Sequence, residues 1–127
     1  MSTRKRLCVA RGSLYLDVPI SYSLSKFAAV RLIEQIHEGH SKNGVCAFSL
    51  HPGGVATGMG SEVPDDFPKA ILTEDLGLCG AVCVWLTKEK RSWLSGRWIS
   101  SKWDMEKLES LKEEIVKEDK LKYRMVV

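Results

Sequence analysis

"VCAFSLHPGG", residues 45–54, decides the fold class. From Val45 to Leu50 the run is apolar apart from Ser49, and it does not alternate. It then stops at His51-Pro52-Gly53-Gly54. A strand with one wet face alternates apolar and polar residues, whereas a strand buried on both faces reads as a continuous run. The stretch therefore predicts an interior strand of a parallel sheet over residues 45–51. Glycines follow at its carboxyl end, where open α/β sheets bind ligands.

Working outward, the residues before it form a helix-period segment over 21–38. Phe27, Ala28, Val30, Leu32, Ile33 and Ile36 recur at helical spacing, Ser21 is the expected N-cap, and Gly39, Asn43 and Gly44 are breakers. "KRLCVA", residues 5–10, reads as a short strand and "RGSLYLDVP", residues 11–19, as a loop. Downstream, residues 58–72 are rich in Gly, Pro and acids and read as a loop with one short helix. Residues 74–87 are a mostly apolar helix. "RSWLSGRWIS", residues 91–100, is a turn and a short strand. Residues 104–118 predict one amphipathic helix on Met105, Leu108, Leu111, Ile115 and Val116. The alternation of Leu121, Tyr123, Met125 and Val127 predicts an extended tail. Strands separated by helix-length crossovers imply an α/β fold with a parallel sheet flanked by helices.

The chain has 127 residues, enough for a single domain over 1–127 with one modest core. Hydrophobic residues make up 44% and charged residues 28%, an ordinary globular composition. A net charge of +3, with no dense basic face, points to neither nucleic acid nor membrane. Arg4, Lys5, Arg6 and Arg11 make the start basic, and no apolar stretch follows to turn it into a targeting signal. Cys8, Cys46, Cys79 and Cys83 form no CxxC pair and sit among apolar residues. They read as small core residues in a reducing, cytoplasmic setting.

"SYSLSKFAAVRL", residues 21–32, carries the main chemical signal. Tyr22 and Lys26 share a helix face at spacing i, i+4. An ammonium beside a phenol favours the phenolate, and a tyrosine so tuned can act as general acid or base. Pro52, Gly53, Val55 and Thr57 follow the buried strand. The glycines let a ligand approach the backbone, and Thr57 offers a hydroxyl to a phosphate or amide. Other patterns carry less. Ser23-x-x-Lys26 lacks the companion motifs of the serine acyl-transferases. "GVATGMG", residues 54–60, spells G-x-x-x-G-x-G but runs into a proline-broken acidic loop instead of a helix. His37 and His40, at the end of the first helix, are expected to form its solvated or C-terminal face, and His51 is expected to bond a backbone group. Trp93, Trp98 and Trp103 are expected to serve packing.

Taken together, "YSLSK" (residues 22–26), "HPGGVAT" (residues 51–57) and "WLSGRWISSKWDMEKL" (residues 93–108) resemble the short-chain dehydrogenase/reductase family, and in look the fungal members most. The resemblance covers nearly all of residues 13–127. It implies the C-terminal half of a Rossmann-type domain, without the glycine-rich N-terminal half that holds the cofactor. It also implies hydride transfer between NAD or NADP and a small carbonyl or alcohol substrate. Tyr22 then resembles the acid/base, and Lys26 the residue that lowers the tyrosine pKa and binds the nicotinamide ribose. Pro52, Gly53, Val55 and Thr57 resemble the segment that flanks the cofactor.

Counting back to the family's catalytic serine lands on Val9, and Ser13 is the nearest hydroxyl. The alternative function is a catalytically inactive remnant or interaction module. It would associate with itself or with full-length relatives through the exposed apolar face of the first helix.

Overall fold

The computed structural model describes residues 6–9, 20–55 and 75–125. Three strands, β1 (Arg6–Val9), β2 (Cys46–His51) and β3 (Trp98–Ser100), pair in parallel in the order β1-β2-β3. In register, Arg6 stands beside Cys46, and Ser49 beside Trp98. Helix α1 (Ile20–His40) connects β1 to β2, and α2 (Leu76–Lys88) lies between β2 and β3. Two short helices, α3 (Met105–Ser110) and α4 (Lys112–Lys117), close the chain. This is the partial parallel α/β sheet flanked by helices that the run at 45–51 predicts.

Residues 46–50 of β2 are all buried, because helices or loops cover both faces of the strand. On one face Cys46, Phe48 and Leu50 join Val82 and Leu86 of α2, Leu94, Ile99 of β3, Leu108 and Ile115 in the main apolar cluster. Side chains alternate along a strand, so Ala47, Ser49 and His51 point to the other face. There α1 packs its buried Val30 and Ile33.

Several boundaries differ from the sequence expectation, each for a local reason. Ser21 lies inside the first turn of α1, which starts at Ile20, so it is not the N-cap. Gly39 does not stop this helix. The stop is Gly44 at φ 77°, after a 3-10 turn over Ser41–Asn43. Gly44 N–H bonds Ser41 O (3.0 Å) and Val45 N–H bonds His40 O (3.4 Å), a Schellman ending that needs a left-handed residue.

The single helix expected over 104–118 is broken at Leu111. The Ser110 hydroxyl donates to Lys107 O (2.7 Å), so Leu111 N–H turns to Leu108 O (3.2 Å) instead. The expected extended tail is not a strand. Asp119 (φ 49°) and Leu121 (φ 65°) are left-handed, and Asp119 takes the glycine-like position of a second Schellman ending. Its N–H bonds Val116 O (3.3 Å) and Lys120 N–H bonds Ile115 O (3.0 Å). The chain then runs back along β3, where Leu121 O accepts Trp98 N–H (2.8 Å). Cys79 and Cys83 lie half-buried against the main cluster and not inside it. Among the described residues no helix is long and apolar enough to cross a membrane.

Candidate active site

Tyr22 and Lys26 sit in the first turns of α1. Lys26 Nζ lies 5.4 Å from the centre of the Tyr22 ring, within cation–π range. Tyr22 is 37% exposed and Lys26 is half-buried. Lys26 shares its helix face with Val30, Ile33, Glu34 and His37, since these recur at spacings of three and four. Lys26 thus stands on the stripe that seats α1 on the sheet.

The other end of that stripe shows where the pair lies. Ser95 Oγ accepts Ala47 N–H (3.1 Å) and lies 3.0 Å from His37 Nδ1. This contact ties the last turns of α1 to the amino end of β2. About 16 Å of helix separate Lys26 from His37 at about 1.5 Å per residue. From Ala47 to His51 the strand covers about 13 Å. The first turns of α1, which carry Tyr22 and Lys26, therefore extend toward and past the carboxyl end of β2.

That end is shaped by His51, Pro52, Gly53 and Val55, all half-buried. Gly53 N–H donates to His51 Nδ1 (3.1 Å), the backbone bond expected of His51. Gly53 has φ 89°, a conformation that glycine alone adopts readily. The His51 ring lies 6.0 Å from that of Trp98, which packs edge-on against Trp103 at 5.2 Å. Thr57, Ser13 and the loop at 58–72 lie outside the described residues.

His37 lies at the C-terminal end of α1 as expected, half-buried instead of solvated. It is packed against Ser95 and Gly96, and burial lowers its pKa, with the charges of Lys122 and Arg97 adding to the effect. The Trp93–Arg97 motif acts as the socket for α1. Leu94 enters the core, Ser95 bridges β2 and α1, and Gly96 lets His37 approach. Arg97 donates to Trp93 O (2.9 Å) and Lys120 O and pairs with Asp119 (3.1 Å).

Sequence reasoning missed Glu34, which is only 1% exposed. Its carboxylate accepts from Tyr123 N–H (3.0 Å), Arg124 (3.2 Å) and Arg31. Its place one turn after Val30 on the apolar stripe was the available signal.

Comparison with known proteins gives three informative relatives. The chain is 52% identical over 111 residues to the short chain dehydrogenase pgmD of Aspergillus terreus. That alignment covers 86% of this chain and 35% of the relative. It is 43% identical over 107 residues to the short chain dehydrogenase mpl6 of Monascus purpureus, covering 84% and 36%. It is 35% identical over 108 residues to the short chain dehydrogenase pigC of Monascus ruber, again covering 84% and 36%.

The chain belongs to the short-chain dehydrogenases. It matches the C-terminal part of these relatives and spans about a third of their length. No family profile matches it, and no solved structure does. For a short-chain dehydrogenase, a parallel sheet with a helix crossing from β1 to β2 is the expected frame.

Proposed function

We propose that this chain carries the acid–base half of an NAD(P)-dependent oxidoreductase site acting on a small carbonyl or alcohol. The observation that carries the reading is Lys26 Nζ at 5.4 Å from the Tyr22 ring, at the start of the helix that leads into β2 and its glycine turn. Membership of the short-chain dehydrogenases supports it. In this reading Tyr22 Oη gives a proton to the substrate oxygen in reduction and takes it back in oxidation. Lys26 stands beside the ring, stabilises negative charge on the phenol oxygen and offers donors to ribose hydroxyls.

Pro52, Gly53, Val55 and Thr57 would flank the nicotinamide. The left-handed glycine at position 53, which puts no side chain into the turn after β2, and the half-buried Lys26 fit that group. The nicotinamide supplies the hydride, and the protein orients it. Position 9, where the resemblance places the catalytic serine, is valine at the end of β1. Residues 1–127 form one domain in this reading, and the exposed apolar residues of α1 associate copies of it.

The test is titration of the purified chain with NADH and NADPH, by fluorescence and calorimetry, with Tyr22→Phe and Lys26→Ala alongside. Saturable binding, weakened about tenfold by Lys26→Ala and little changed by Tyr22→Phe, is expected, as for the loss of one charged hydrogen-bonding group. Binding indifferent to Lys26→Ala, or none up to millimolar cofactor, would sink the reading.

A further inference from the structure

The C-terminal segment 119–125 crosses from β3 to α1 and is held at both ends. On the β3 side, Leu121 O accepts Trp98 N–H, and Arg97 binds Lys120 O and Asp119. Asp119 also pairs with Lys122 (2.6 Å) and Arg124 (2.7 Å). On the α1 side the Tyr123 ring lies 4.8 Å from that of Phe27, and Glu34 accepts from Tyr123 N–H and Arg124. Phe27 and Glu34 are about two turns apart on α1, so the segment touches the helix at two levels. The second Schellman ending and the left-handed Leu121 aim the chain back onto the helix.

A charged carboxylate as buried as Glu34 is costly unless it is fully bonded, and among the described residues every donor to it but Arg31 comes from this segment. Packing of Val30 and Ile33 alone is non-directional and leaves the tilt of α1 soft. His37 fixes one end of the helix and Glu34 the adjacent turn. A tilt of about 5° around His37 would move Tyr22 by about 2 Å, given about 1.5 Å of rise per residue. Displacements of about 1 Å are enough to cost about a hundredfold in rate in well-ordered sites.

We propose that Glu34 is a positioning residue, and that residues 119–125 are a strap whose grip on it sets the seat of α1 and hence the place of Tyr22 and Lys26. The proposal rests on reading those two residues as the acid–base pair. Its test uses no cofactor, so failure of either idea can be told from failure of the other.

The chain is labelled with 3-fluorotyrosine, the signals are assigned by Tyr→Phe substitution, and fluorine spectra are compared among variants. Arg124→Ala and Glu34→Ala are expected to move or broaden both the Tyr123 and the Tyr22 signals. Glu34→Gln still accepts Tyr123 N–H and is expected to restore Tyr22. A second sample with 5-fluorotryptophan reports Trp85 of α2, packed against the main cluster on the other face of the sheet, and its signal should hold still.

A Tyr22 signal unmoved by Arg124→Ala overturns the proposal. So does a Glu34→Gln chain as displaced as Glu34→Ala, or a Trp85 signal that moves together with Tyr22. Arg124 is largely exposed, so its variant keeps the test decisive even if Glu34→Ala fails to fold.

Discussion

Gly96 and His37 meet so closely that a Cβ added at Gly96 would lie 2.8 Å from the His37 Cβ. Gly96 also has φ 79°, in the left-handed region. Conformation and contact together leave no room for a side chain in this joint between α1 and the Trp93–Arg97 turn. Gly96→Ala is therefore expected to lower stability by about 2 kcal/mol or more, combining left-handed strain with displacement of His37. Urea unfolding followed by tryptophan fluorescence measures it, and an unchanged midpoint would contradict it.

The same histidine should make stability depend on pH. Burial first, and then the Lys122 and Arg97 charges, hold its folded pKa below the ordinary 6.5, against the opposing pull of Glu38 and Asp119. The unfolded imidazole takes a proton more readily, so stability rises with pH across this window. The contribution is complete above about pH 6.5 and is lost as pH falls toward the lower folded value. Unfolding free energy at pH 7.5 should exceed that at pH 5.5, and His37→Gln should shrink the difference. Equal differences in both proteins would remove His37 as the cause.

A second, more acidic limb is expected from Asp119. Burial raises its pKa, but hydrogen bonds from Lys122 and Arg124 and the charges of Lys122 and Arg97 outweigh this and hold it down to about 2. Its contribution is present above the ordinary value of 3.8 and is lost as pH falls toward 2. The group is partly exposed, so the effect is modest and screened by salt. Asp119→Asn should flatten the acid limb of the unfolding curve. An acid limb of the same depth in that variant would count against the assignment.

On α1, Ile20, Leu24, Phe27 and Leu32 are half or more exposed. Apolar side chains so placed on one helix are expected to seek a partner surface. Sedimentation velocity should show species larger than a monomer, and Leu24→Lys should shift the distribution toward monomer. A monodisperse, cooperatively melting monomer of the parent chain would contradict this.

Much of the fold was legible because strand and helix periods are local. The run at 45–51, the stripe through Val30 and Ile33 and the apolar helix before Lys88 carry their structure in their own spacing. Tyr22 and Lys26 were legible for the same reason, since i and i+4 meet on any helix. The break at Leu111 was not, because it depends on the Ser110 hydroxyl taking Lys107 O from the backbone. Nor was the tail, whose alternation resembles a strand although Asp119 and Leu121 are left-handed.

The sequence by itself determined the parallel α/β class, the pairing of Tyr22 with Lys26 and the glycine turn after β2. Each of these follows from spacing along one segment. Only the tertiary structure decided that Glu34 is buried, that His37 is a packed joint and that Arg97, Asp119 and Arg124 hold the tail against α1. These depend on residues far apart in the chain, such as Glu34 and Tyr123. A charged residue in a helix reads as solvent-facing until the distant donors that make its burial tolerable are in place.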